Sequence, residues 1–132
     1  MRERVTAARS ARLATVGEDG QPHLVPVVFA LNGPLAWIAV DAKPKRTRDL
    51  ARIRNIRARP KVSLLVDHYE EDWSRLWWVR LDGDGRVLPP SRWQGPIDLL
   101  RAKYRQYDTA PPDGPVIEIR IHTWRGWAGT QD

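Results

Sequence analysis

The sequence predicts a mainly β protein: an antiparallel barrel with a few attached helices. Short apolar runs of strand length recur along the chain, separated by turn residues. Asn32-Gly33 lies between two of these runs and is the strongest hairpin signal in the chain. Residues 115–122 alternate strictly between two faces, as expected of a strand with one buried side. Hairpin-linked strands with few helices favour a barrel.

Six segments have strand character and three have helical character. The predicted strands are residues 11–16, 22–31, 35–40, 61–66, 76–88 and 115–122. The predicted helices are residues 1–10, a segment from Thr47 to the residue before Pro60, and residues 93–107. Pro22 and Pro26 indicate that the second strand is an edge strand or bulged. Gly83 and Gly85 leave two interpretations of residues 76–88, a hairpin turn or one bent strand.

Composition narrows the class of protein. The 132 residues are expected to form one domain, residues 1–132, and the absence of cysteine excludes disulfides and thiolate metal sites. Apolar runs fall short of the ~18 residues that span a bilayer, so a cytoplasmic protein is expected. The three histidines are too far apart for metal-ligand spacing, and no metal site is predicted. Neither a dinucleotide fingerprint nor a P-loop occurs.

Positive charge is concentrated in residues 43–61. This stretch holds nine Lys or Arg against one acid, a local net charge of +8 in a chain whose total is +6. The cations Lys43, Lys45, Arg46 and Arg48 crowd the junction where a predicted strand leads into a helix. Unpaired N–H groups at a helix start also attract anions. We therefore expect an anionic partner here.

The chain contains seven tryptophans but one phenylalanine and one methionine. In a strand, Trp73 and Trp77 would share one face, with Trp78 on the other. Buried core and a subunit interface are one interpretation, since tryptophan is common in both. A wall against a planar ring is another. Both hold if a ligand lies at an interface.

Five blocks in order carry a resemblance to a known family. They are residues 11–16, 19–28, 40–50, 63–67 and 72–80. Together they resemble the split-barrel flavin and deazaflavin reductases related to pyridoxamine 5′-phosphate oxidase, and more closely the subgroup that uses coenzyme F420. The resemblance implies a six-stranded antiparallel split barrel in which residues 76–88 form one bent strand. It also implies a homodimer with the cofactor in a groove between the subunits.

The resemblance assigns roles by position. The phosphate-binding segment corresponds to Lys45, Arg46 and Thr47. Pro44 stands where some relatives carry a further arginine, with Lys43 and Lys45 as substitutes. The ring-lining residues correspond to Pro26, Val27, Val28, Ile38 and Val40, and aromatic residues from the second subunit correspond to Trp73 and Trp77. No acid or base is identified as catalytic.

The implied function is hydride transfer between F420 and a small organic substrate. F420 carries a phosphodiester and a polyglutamate tail, which suit an extended basic segment. FMN, the alternative cofactor, has one terminal phosphate and would need only the loop cations. A non-enzymatic binder of a flavin-like or haem-like ligand, or of nucleic acid through the basic helix, is the remaining hypothesis.

Overall fold

The computed structural model describes residues 1–40 and 46–130, leaving aside the side chains of residues 46–50. The strands are β1 (Ala11–Val16), β2 (Pro22–Val27), β3 (Ala30–Asn32), β4 (Leu35–Ala39), β5 (Lys61–His68), β6 (Trp77–Val87) and β7 (Val116–Ala128). The helices are α1 (Arg2–Ala7), α2 (Arg46–Ala58), α3 (Gln94–Lys103) and α4 (Gln106–Thr109), with 3₁₀ turns at Trp73–Arg75 and Pro90–Arg92. The strands form one curled antiparallel sheet in the order β2-β1-β5-β6-β7-β4-β3. The mainly β, antiparallel prediction is confirmed.

The sheet has seven strands rather than the predicted six, because the segment 22–31 is divided. β2 pairs with β1, where Val27 lies opposite Ala11, whereas β3 pairs with β4, where Ala30 lies opposite Trp37. Val28 and Phe29 therefore carry the chain from one edge of the sheet to the other. The prolines lie on an edge strand, as expected. The Asn32-Gly33 hairpin is confirmed, with Gly33 at φ +59°.

β6 is one continuous strand, and the hairpin interpretation of residues 82–85 is wrong. Its pairing with β7 shifts register between Asp82 and Gly83, which marks a bulge. A Cβ on Gly83 would overlap the backbone of Arg120, so the glycine permits the close approach of the two strands.

Three further predictions needed correction. β7 runs on to Ala128, because its second half pairs with the start of β6. The predicted helix over 93–107 is two helices, since Tyr104 between them has extended backbone at φ −118° and ψ 114°. Trp73 lies in a 3₁₀ turn and not in a strand, so it does not share a strand face with Trp77.

Two apolar clusters hold the fold together. The larger fills the inside of the curled sheet, where α2 contributes Ile53 and Ile56 and α1 contributes Val5. The smaller lies on the outside of β4 and β7, where α3 covers Trp37 and Val116. Strand alternation explains the arrangement, because successive residues of β4 enter opposite clusters. Among the described helices, none is both long and apolar enough to cross a membrane.

Candidate functional site

The outward side of β2, β1, β5 and β6 carries no covering helix among the described elements, and we call it the open face. It bears an apolar groove of about 460 Å³. The residues that line the groove include Ala14, Leu24, Leu65, Leu76, Trp77, Trp78 and Trp127. Leu24 is 67% exposed and Trp127 is 48% exposed. Apolar surface gathered in one patch is typical of a ligand or protein contact.

Two ion pairs lie on the open face. Arg12 lies 3.5 Å from Asp67, and Arg80 Nε lies 2.9 Å from Asp82 Oδ1. Ser63 Oγ also donates to Asp82, at 2.6 Å. Desolvation raises the pKa of Asp82, but hydrogen bonds from Ser63 and Arg80 outweigh it and hold the pKa below its usual value. The groove therefore has apolar walls, and its two arginines are each neutralised by an acid.

A second cavity of about 460 Å³, the cationic cavity, opens beside the groove. Its lining comprises Arg4, His68, Ser74, Arg75, Leu76, Trp77, Ala128 and Thr130. The groove and this cavity share His68, Leu76 and Trp77. Trp77 is half-buried, and the Arg4 guanidinium lies 5.8 Å from the centre of its ring.

The turn that carries Trp73 is built by Asp72. Its Oδ1 accepts hydrogen bonds from the backbone N–H of Ser74 at 3.1 Å and from the Ser74 hydroxyl at 2.7 Å. These hydrogen bonds lower the pKa of Asp72. The turn leaves Trp73 66% exposed, whereas Trp77 enters the strand. Of the two predicted aromatic residues, Trp77 therefore lines both cavities, whereas Trp73 lies exposed on the turn next to Ser74 and Arg75 of the cationic cavity.

The predicted ring-lining residues divide into two groups. Pro26 is exposed at the edge of the open face, and Val28 is half-buried at the break after β2. The side chains of Val27, Ile38 and Val40 are buried in the main core. A ligand at these three positions would therefore meet backbone rather than side chains.

Within one chain, Pro26 and Trp77 are far apart. Arg12 lies opposite Pro26 on β1, and β5 separates β1 from the strand that carries Trp77. Three interstrand spacings amount to roughly 14 Å. These two parts of the predicted site do not meet in a single chain.

Of the predicted phosphate-binding residues, Lys43 and Lys45 lie outside the described residues. Arg46 and Thr47 are the first residues of α2, the element that follows β4 in the chain. Farther along the same helix, a surface cavity of about 540 Å³ is lined by basic residues and one acid. Its lining is Glu18, Arg54, Asn55, Arg57, Ala58 and Arg59.

Sequence reasoning missed a clamp on Phe29, at the break between β2 and β3. Lys103 Nζ and the Tyr104 hydroxyl donate to the Phe29 carbonyl at 3.0 and 3.1 Å. The Phe29 N–H donates to the Tyr104 hydroxyl at 3.2 Å. Burial, and then the nearby Arg9, lower the pKa of Lys103 to about 8, while burial raises the pKa of Tyr104. The clamp holds the backbone directly after the predicted ring-lining segment.

The sequence matches the pyridoxamine 5′-phosphate oxidase family over residues 1–128. The chain belongs to this family. The flavin-binding split-barrel fold implied by the resemblance is thereby confirmed. Among the described residues, no group of His, Asp and Glu is arranged to hold a metal ion.

Three solved structures illustrate the range of similar proteins. A FAD-binding protein from Mesorhizobium loti is 25% identical, with TM-score 0.70, and the aligned region covers 95% of this chain and 89% of the Mesorhizobium chain. An F420 reductase is 22% identical, with TM-score 0.66, covering 92% and 94%. HutZ, a haem storage protein from Vibrio cholerae, is 15% identical, with TM-score 0.72, covering 96% and 90%. At such identities the two last likenesses establish the fold alone.

Proposed function

We propose that this chain is an F420-dependent oxidoreductase that transfers a hydride between the deazaflavin and a small organic substrate. One observation carries the choice of cofactor: basic side chains continue along α2 well past its start. Arg54 and Arg57 border the cavity on this helix, about 12 and 16 Å along its axis from Arg46. A single phosphate needs cations only at the loop, whereas a phosphodiester with an acidic tail needs a longer basic surface.

We assign the charged groups of the cofactor to basic residues and its ring to the apolar groove. Lys43, Lys45, Arg46 and Thr47 are proposed to hold the phosphate, with Arg54 and Arg57 toward the acidic tail. When bound, F420 supplies the hydride-transfer chemistry. The apolar groove excludes water from the ring and holds the substrate close to it. No side chain is assigned as a proton donor.

A homodimer is part of this proposal, with the open face as its interface. Leu24 and Trp127 leave apolar surface in water, and the Arg12–Asp67 pair offers both signs of charge to a two-fold related copy. In such a dimer, Pro26 of one subunit and Trp77 of the other would lie close together, although the two residues are far apart within one chain. Trp73 or Trp77 of one subunit would then lie near Val27, Val28 and Lys45 of the other.

Parallel titrations of F420 and FMN into two variants test the cofactor. Replacing Lys45 and Arg46 with alanine removes cations that both cofactors use, so both affinities should fall. Replacing Arg54 and Arg57 with glutamine should weaken F420 about five- to tenfold at low salt and leave FMN unchanged, because only the tail reaches them. Arg101→Gln, on the exposed side of α3, is the matched control. Equal losses for both cofactors in the Arg54/Arg57 variant would remove the case for F420.

Haem binding is the second candidate, because His68 lines the apolar groove and HutZ shares the fold. Haem iron is commonly ligated by a histidine, and the porphyrin needs an apolar cavity beside that histidine. Titration with haemin should then give a Soret band that His68→Ala shifts. An unshifted band would argue against this candidate.

Nucleic acid remains the weakest candidate, since the basic residues of α2 are not interleaved with the tryptophans of the open face. Salt-sensitive binding of arbitrary duplex DNA would favour it.

A further inference from the structure

The groove and the cationic cavity lie side by side and share three lining residues, His68, Leu76 and Trp77. Together they make a candidate binding region with two chemically different ends. Trp78 and Trp127 line the apolar end only, and Arg4 and Arg75 line the other end only. Trp77 lies between them, lining both. A ligand that fills both ends would therefore combine an apolar body with a polar group.

Glu70 shows which polar group suits the cationic end. Its Oε1 lies 3.0 Å from His68 Nε2 and 3.0 Å from Arg75 Nε. A carboxylate thus already fits between these two side chains. Glu70 belongs to the short connection between β5 and the turn at Trp73–Arg75, so a ligand carboxylate would compete with it.

The charge balance also favours an anion at this end. The eight described residues that line the cationic cavity include two arginines and no acid. The side chain of Arg75 is 71% exposed, which leaves part of its guanidinium accessible beside the Glu70 contact. Arg75 shares its partner Glu70 with His68, whereas the arginines of the groove each have an acid of their own, Asp67 for Arg12 and Asp82 for Arg80.

We propose that the substrate is an apolar, ring-containing carboxylate, whose carboxylate binds Arg75 and His68 in place of Glu70, with Arg4 adding positive charge, while its ring lies against Trp77. This inference rests on the proposed function, because the proposed homodimer brings Trp77 beside the cofactor of the other subunit. A planar ring at Trp77 gains stacking contact, and the carboxylate gains charge-assisted hydrogen bonds from Arg75.

Tryptophan fluorescence titrations of the full chain with 2-naphthoate and 2-naphthamide test the subsite. The two probes have the same ring and differ in charge. Naphthoate should bind the wild type about tenfold more tightly than the amide, and the preference should disappear in the variant Arg4→Gln/Arg75→Gln. Arg105→Gln, an exposed arginine between α3 and α4, should keep the preference. Equal affinities for acid and amide in the wild type would overturn the proposal.

Glu70→Gln gives a test in the opposite direction. Removing the internal carboxylate frees His68 and Arg75, so naphthoate should bind this variant several-fold more tightly while the amide is unaffected. Naphthoate affinity that stays the same or falls would show that Glu70 does not occupy a carboxylate site. Unfolding cannot improve binding. Tighter naphthoate binding by Glu70→Gln would therefore support the subsite even if the Arg4→Gln/Arg75→Gln variant misfolds.

F420 titration of the same proteins separates this inference from the proposed function. If the wild type binds F420 but does not distinguish the acid from the amide, the carboxylate subsite is wrong and the cofactor proposal stands. If it prefers the acid but binds no F420, the cofactor proposal fails and the subsite stands.

Discussion

The outside of the sheet has two apolar areas, and the chain treats them differently. Over β4 and β7, α3 covers Trp37 and Val116, and Leu100 of the helix is fully buried there. Over β1, β5 and β6, the apolar side chains of the open face remain in contact with solvent, and Trp78 is 36% exposed. Both areas belong to the same sheet and both carry tryptophan.

The hydrogen bonds of the covered area explain why it can be buried. Trp37 Nε1 donates to Glu118 at 3.0 Å, and Arg86 supplies a charged partner to the same carboxylate at 2.8 Å. Trp93 Nε1 donates to the Leu88 carbonyl at 2.8 Å. Tryptophan can be buried without penalty when its N–H finds such a partner. One apolar area is therefore covered within the single chain, whereas the other is left exposed, and we propose it as the dimer interface.

The largest expected effect concerns the covered area. Trp37→Ala should lower the free energy of unfolding by about 3–5 kcal/mol, because it opens a cavity under α3 and leaves Glu118 without its indole donor. Urea denaturation measures it. Trp78→Ala is the matched substitution on the open face and should cost far less in the isolated chain. Similar losses for both would mean that the two areas do not differ as described.

The next effect concerns the open face alone. Leu24→Asp should raise the dimer dissociation constant by a factor of about thirty or more. The two-fold interface would then bury two unpaired carboxylates, one from each subunit. The fold should persist, because Leu24 is 67% exposed in the single chain. Sedimentation velocity measures the association, with Leu99→Asp, 40% exposed on α3, as control. A wild type that is monomeric at high concentration would contradict the interface.

The smallest effect concerns the clamp that ties α3 to Phe29. Because the folded-state pKa of Lys103 is lowered to about 8, the folded chain loses this proton before the unfolded chain does as the pH rises. The free energy of unfolding should therefore rise between about pH 8 and 10, by at most roughly 1 kcal/mol after solvent screening. Lys103→Met should lack this rise in urea denaturation measured across the same pH range. A rise that persists in the variant would assign it to another group.

Much of the fold could be predicted because its signals are local. Alternation defined β1 at residues 11–16, and Asn32-Gly33 placed the hairpin between β3 and β4. The errors lie where distant contacts decide the backbone. Nothing within residues 22–31 marks the break at Phe29, because the groups that stabilise it lie more than seventy residues away, on and after α3.

The candidate site was predictable only in its types of residue. The tryptophans and the basic helix were visible in the sequence, but the pairing of Arg75 and His68 with Glu70 depends on a turn that the strand pattern concealed. The burial of Ile38 and Val40 likewise depends on which side of β4 faces the core. Such facts follow from register, which a single sequence does not determine.

The division of residues 22–32 has a consequence for how the molecule behaves among its own copies. β2 and β3 are the two edges of the sheet, yet only Val28 and Phe29 separate them in the chain. The unpaired N–H and C=O groups of a free edge strand can pair with strands of other molecules and so start aggregation. Pro22 and Pro26 lack N–H groups, so the free edge of β2 offers too few donors for a new ladder. β3, with three residues, is too short to template one. The protein can therefore present an apolar face for specific association while its sheet edges resist indiscriminate growth.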